Sequence, residues 1–246
     1  MKVGIWILRV IAALLVIALL VNVRDERPSE TVLANLASLE ARPPIADEDN
    51  AYFLLFAFQV PEDHDPMNAG IERQRWVESQ LESDEEDWTT DPVWPDPDYR
   101  NDRRAEHEEL AQLCREKRSG CIDSVIDQLD LVRDWLESEE WVIQRYRRLI
   151  RMPAFRDAIP LRVETPFPAY GHVIEAQRQF LLHALLQARQ GNHAKLVGQL
   201  DQDFRFWRLV LRETDTLIGK MIAVVAIHQN LQGGNTILAR IDPGGQ

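Results

Sequence analysis

Residues 170–212 read YGHVIEAQRQFLLHALLQARQGNHAKLVGQLDQDFRFWRLVLR, and this stretch decides the fold. Val173, Ile174, Phe180, Leu181, Ala184, Leu185 and Ala188 recur at helical spacing on one side. Gly191 and Asn192 follow, residue types that tolerate the left-handed backbone with which helices end. A second apolar set then opens: Leu196, Val197, Leu200, Phe204, Trp207 and Leu211. Helices joined by so short a turn run antiparallel, with their apolar faces together. No second copy recurs at a period of about 34 residues, the spacing of tetratricopeptide arrays. The expectation is therefore a mainly α protein, an irregular bundle or array of helical hairpins.

Working outward supports that class. Residues 217–227 are almost wholly apolar, interrupted by Gly219 and Lys220. The run is too short to cross a bilayer and reads as the central helix of the core. Two glycine pairs mark residues 231–246 as a flexible tail. Upstream, Ile122, Val125, Ile126, Leu129, Val132 and Leu136 share one helix face, and Ser138 ahead of two glutamates and Trp141 predicts a new helix reaching Ile150 or Arg151. Pro153, Pro160, Pro166 and Pro168 predict an irregular crossing. The aromatic run at 51–58 follows Asp47, Glu48, Asp49 and Asn50, which suit a helix start; a core strand of that length stays open.

Between Glu62 and Asp102 the chain turns acidic and proline-rich, with one predicted helix over 69–81. Residues 82–102 have neither helical nor strand period and read as a long acidic loop, with Trp88 and Trp94 as its anchors. The loop carries much of a formal net charge of −12. That balance disfavours nucleic acid or anionic lipid as a main partner.

The amino end carries the clearest placement signal. Residues 4–23 are apolar except for Arg9 and Asn22, long enough as a helix for a hydrocarbon core of roughly 30 Å. The run passes into Asn22-Val23-Arg24 without an Ala-x-Ala-like site, so residues 1–23 read as an uncleaved signal anchor. Lys2 and Arg9 place the amino end in the cytoplasm by the positive-inside rule. Residues 24–46 then form a juxtamembrane linker with a short helix bearing Val32, Leu33, Leu36 and Leu39, and 47–230 form the extracytoplasmic domain. In a Gram-negative host this domain is periplasmic, attached to the inner membrane through 4–23. An oxidising compartment would let Cys114 and Cys121, the only cysteines, pair across a short polar loop.

No catalytic, cofactor or metal residue is assigned. His172, Glu175 and His183 share a helix, but ligands two turns apart lie about 12 Å from one another along its axis, so the reading is of partly exposed polar residues. His107-Glu108-Glu109 has Ala111 where a zinc-protease motif needs its second histidine, and Glu62-Asp63-His64-Asp65 reads as a solvated turn. No nucleophile elbow or phosphate loop occurs, so an enzyme is not expected. Arg145, Arg147, Arg148 and Arg151 form a basic stretch with Trp141 and Tyr146 interleaved. Guanidinium groups fork onto carboxylates and stack on rings, so these arginines, with Trp88 and Trp94, are the candidate partner-binding residues.

Phe167-Pro168-Ala169-Tyr170, Ala176-Gln177-Arg178-Gln179-Phe180 and Leu217-Ile218-Gly219-Lys220-Met221-Ile222 resemble uncharacterised single-pass membrane-anchored proteins of proteobacteria. The resemblance covers the carboxy-terminal third and implies an envelope location with no activity attached. The functional expectation is an envelope protein whose helical domain binds another protein as a scaffold, assembly factor or modulator. The alternatives are an immunity-type antagonist of an envelope-acting toxin, and a metal-dependent or hydrolytic enzyme without a recognisable motif.

Overall fold

The computed structural model describes residues 6, 11–17, 29–83, 100, 103–117, 120–159, 165–191 and 193–241. It divides into two units, Met1–Pro44 and Ile45–Gln246. In the first, Trp6 and residues 11–17 are helical and exposed, and most of the apolar run 4–23 lies outside the described residues. Among the described residues no helix is long and apolar enough to cross a membrane. Helix α1 (Glu30–Glu40) starts where the Ser29 side chain accepts the Val32 amide, and its Val32, Leu33, Leu36 and Leu39 are exposed.

The second unit is helical, with no strand among its described residues. Helix α2 (Ala51–Phe56) is buried along its whole length, which resolves the aromatic run as helix. Asn50 is the reason it starts there: its Oδ1 accepts from Tyr52 N at 3.2 Å and from Arg156 N at 2.9 Å. Its Nδ2 donates to the Arg156 carbonyl at 3.0 Å, so one side chain caps α2 and holds the irregular crossing against it. Asp65 likewise opens α3 (Pro66–Glu82), accepting from Met67 N and Asn68 N, with Pro66 in the first turn where no amide is needed.

Helix α4 (Ala105–Lys117) is joined by the Cys114–Cys121 disulfide to α5 (Cys121–Val125), so the expected pairing is present. The expected helix over 122–136 is broken by a 3-10 turn at Ile126–Gln128 before α6 (Leu129–Ser138). Helices α7 (Glu140–Leu149), α8 (Tyr170–Arg189), α9 (His193–Glu213) and α10 (Leu217–Ile241) complete the array. The antiparallel pair read from residues 170–212 is α8 and α9, turning at Gly191 with φ 93°. The 82–102 loop lies almost wholly outside the described residues, as do Trp88 and Trp94.

Two expectations for the carboxy end are corrected. Helix α10 does not stop near Ile227 but continues to Ile241, through the stretch expected to be a flexible tail. A Cβ on Gly233 would stand 3.0 Å from a Leu181 methyl, and one on Gly234 would stand 3.2 Å from a Leu200 methyl. The glycine pair thus serves close packing onto α8 and α9. Nor is α10 the central helix: Ala223, Ala226 and Ile237 are buried, while Leu217, Met221, Val224 and Leu231 are exposed. Apolar composition does not distinguish a helix covered all round from one covered on a single side.

A polar network is buried within the apolar core of the bundle. Asp203 of α9 is fully buried; it accepts the Tyr146 hydroxyl on Oδ1, and Gln177 Nε2 at 2.8 Å and Asn230 Nδ2 at 2.7 Å on Oδ2. Trp207 Nε1 donates to the Tyr146 oxygen at 2.8 Å, so α7, α8, α9 and α10 meet in one network. Burial pushes the Asp203 carboxyl up to about 6, against the hydrogen bonds that favour its ionised form. The folded state therefore holds this proton more tightly than the unfolded chain. Its contribution is complete below pH ~4 and is withdrawn as pH rises through 6, a change of about 3 kcal/mol. Asp203→Asn should remove this term. We expect the difference in urea-unfolding free energy between variant and parent to change by about that amount between pH 4 and pH 7; a constant difference would contradict the assignment.

Candidate protein-binding surface

Helix α7 carries Arg145, Arg147 and Arg148 of the basic stretch, Arg151 lies in the turn after it, and the four have different fates. The Arg145 side chain is buried. Its Nη1 donates to the carbonyls of Phe58 (2.8 Å) and Val60, and its Nη2 to those of Pro61 (2.9 Å) and His64 (3.3 Å). The guanidinium lies 4.6 Å from the Trp141 ring centroid. Arg145 is thus the clamp that fixes the turn following α2 by donating to four of its carbonyls, of which that of Pro61 also accepts the His64 amide at 3.2 Å. This corrects its reading as a surface contact residue.

Arg147 is half-buried and donates Nη2 to His183 Nδ1 at 2.9 Å. Burial, and then the Arg147 charge, lower the His183 pKa to about 4, so a neutral imidazole supplies the accepting lone pair at neutral pH. Burial lowers the pKa of Arg147 as well.

Arg148 and Arg151 reach the surface, one turn apart. Arg148 Nη1 donates to Asp65 Oδ2 at 2.7 Å, and both side chains remain more than two-fifths exposed. Burial tends to raise the Asp65 pKa, but the Arg148 bond and the two amides at the start of α3 outweigh it and hold the carboxyl low. A cleft of about 400 Å³ opens beside this pair, lined by Glu62, Asp63, His64, Trp141, Gln144 and Arg148 among others. The turn 62–65, read as merely solvated, is thereby one wall of a cleft. Within it, His64 Nδ1 is 2.8 Å from Asp63 Oδ1, and that hydrogen bond lowers the Asp63 pKa.

A second cleft of about 430 Å³ opens beside Arg151, over Ile150, Met152, Phe206 and Leu209, with Arg205 and Asp201 at its edge. Arg205 Nη2 pairs with Asp201 at 2.9 Å across one turn of α9. Arg148 and Arg151 thus each line a cleft with an apolar component. No spacing in the sequence announces this, because the second wall of each cleft comes from another helix or turn.

The histidine and glutamate of α8 do not assemble into a site. Glu175 is buried and bound to Arg103 and Arg115, while His183 is bound to Arg147. This corrects the reading of Glu175 as a partly exposed polar residue. Among the described residues, Glu106, His107 and Asp134 bring three potential metal-ligating atoms together. Arg104 already occupies their centre: its Nη2 lies 2.7 Å from His107 Nε2 and donates to Asp134. The His107 and Arg104 hydrogen bonds lower the Asp134 pKa, and a guanidinium in that position disfavours a second cation.

Comparison with family models, with curated proteins and with solved structures finds no match to this chain.

Proposed function

We propose that this chain is a single-pass envelope protein whose helical domain binds a carboxylate-bearing segment of another protein across Arg148 and Arg151. The observation that carries the reading is the exposure of Arg148 on α7 and of Arg151 in the turn after it, each lining a cleft, when Arg145 and Arg147 of α7 are engaged inside the protein. Forked arginine–carboxylate contacts supply orientation, and the apolar residues beside them supply desolvation. The chain's charge of −12 raises the contrast of a basic patch against its surroundings. An acidic partner is also the wrong charge for the antagonist reading, in which a basic effector would be met by an acidic surface.

Placement in the envelope rests on the run 4–23 and on the Cys114–Cys121 bridge, which is typical of oxidising compartments. A cytoplasmic amino end follows from Lys2 and Arg9. Thiol trapping of the full chain in cells tests this directly. A bridge found oxidised in the native membrane supports a periplasmic domain, whereas free thiols at 114 and 121 would argue for the opposite orientation.

The partner surface is tested by crosslinked capture of the full chain from its own membranes, comparing the parent with Arg148→Glu/Arg151→Glu. The variant should lose its principal partner, with recovery falling at least about tenfold and more steeply at low salt. An identical set of captured proteins at equal yield would rule the surface out. Both side chains are exposed, so the melting temperature should change little.

A further inference from the structure

The face of α10 turned away from α8 and α9 is largely apolar, and its described side chains carry no formal charge. Leu217, Val224, Leu231 and Leu238 stand seven residues apart and are 74%, 53%, 50% and 45% exposed. Four residues after the first three come Met221, His228 and Asn235, all exposed as well. This is the alternating four-and-three spacing of a coiled-coil seam, held over three heptads. A helix of 25 residues is about 37 Å long, so the stripe is far more extensive than the scattered apolar side chains of an ordinary surface.

Charge separates the possible occupants. Charged residues make up 28% of the chain, which carries a net charge of −12, yet the exposed side chains described on α10 include no Asp, Glu, Lys or Arg. Lys220, on the same helix, is only partly exposed and donates to the Leu211 carbonyl. Elsewhere two copies of so acidic a protein repel each other; along this stripe that repulsion has no local source. An amphipathic helix lying on a lipid surface has basic residues flanking its apolar face, and among the described exposed side chains of this one there are neither those nor a Phe, Trp or Tyr. The polar residues sit on the midline, at positions 228 and 235, where hydrocarbon would leave them unsatisfied. In a parallel two-fold pair, each meets its own copy, and an Asn at such a position fixes register and strand number.

We propose that α10 is a self-association surface, on which a second copy of this chain packs its own α10 in parallel, with Met221, His228 and Asn235 facing their counterparts. Burying the stripe removes on the order of 1,000 Å² counted over both copies, the lower bound for a specific interface. The surface lies on residues other than the arginine clefts and stands or falls independently of them.

The test is disulfide trapping of the full-length chain in its own membranes. The native cysteines are already paired, so Asn235→Cys introduces the reporting thiol. A product of twice the chain mass is expected on oxidation, with none from Arg208→Cys on the exposed face of α9. Adding Leu231→Glu, at an exposed position, should reduce the crosslinked fraction at least about tenfold while the melting temperature holds. A monomer only from Asn235→Cys, equal trapping from Arg208→Cys, or insensitivity to Leu231→Glu each overturns the proposal. So does an Asn235→Cys thiol that neither crosslinks nor reacts with an impermeant maleimide, since lipid or a different protein then covers the face.

Discussion

Arg103→Ala is expected to destabilise the helical domain by about 3–5 kcal/mol, the range for removing one partner from a buried ion cluster. The Arg103 side chain is 1% exposed, as is fitting for a group with three carboxylates around it. Its Nε and Nη2 donate to the two Glu139 oxygens at 2.5 and 2.8 Å, Nη2 also to Glu175 at 2.6 Å, and Nη1 to Glu108 at 2.9 Å. Trp135 Nε1 and Gln179 Nε2 complete Glu139 at 3.0 and 2.8 Å, and Arg115 Nη1 reaches Glu175 at 2.8 Å. Alanine at 103 leaves Glu139 with neutral donors and Glu175 more dependent on Arg115, both out of reach of bulk water. Lysine retains the charge without the planar fork, so Arg103→Lys should recover only part of the loss. Urea unfolding at pH 7 gives the comparison, and an alanine variant within 1 kcal/mol of the parent would contradict the burial.

The same cluster has a pH signature. Burial alone would raise the Glu175 pKa, but Arg103 and Arg115 outweigh it and hold the carboxyl below its usual value. A depressed acid contributes stability that is present above its unfolded pKa and is lost as pH falls through the folded one. Acidification below pH ~4 therefore weakens this cluster, whereas the Asp203 term is at its fullest there. The two groups act in opposite directions within one domain, and Arg103→Ala should lose part of the acid sensitivity belonging to Glu175, the part held by Arg115 remaining.

Gly70→Ala is expected to cost about 3 kcal/mol, at the upper end of the usual range for overpacking. In an open helix the same change would gain about 1 kcal/mol, because alanine is the better helix former. Here the added Cβ would lie 2.0 Å from the Phe53 carbonyl oxygen and 2.6 Å from its carbon. Those are backbone atoms of α2, whose six side chains are all buried, so the clash cannot be relieved by turning a rotamer. Helix α3 must move off α2, disturbing the Arg73 donor to the Phe56 carbonyl at 3.3 Å and the Arg73–Phe56 ring contact at 4.5 Å. A thermal melt reads the outcome: an increase in melting temperature would show that helix propensity outweighs the contact.

These two sites show where reading the sequence stops. Gly70 sits inside a predicted helix with nothing nearby to mark it, because the atom that requires glycine belongs to a residue on another helix. Arg103, Glu139 and Glu175 are separated by 36 and 72 positions, and each alone resembles an ordinary solvated charge. Arg145 was legible as one member of a basic run, but not as the donor to four carbonyls between Phe58 and His64. The paired cysteines were legible, because seven residues of separation and a polar loop restrict both partners to one hairpin.

By itself, the sequence determined the helical class, the α8–α9 hairpin, a candidate helix start behind Asn50, and the cysteine pairing. These depend on periodicity, capping and short-range closure, whose physics acts within a few residues. Only the tertiary structure decided which charges are buried, which arginines of the basic stretch reach the surface, and that α10 is covered on one face and open on the other. Burial is a relation between distant segments, and one helix's residues do not encode whether a neighbour covers them.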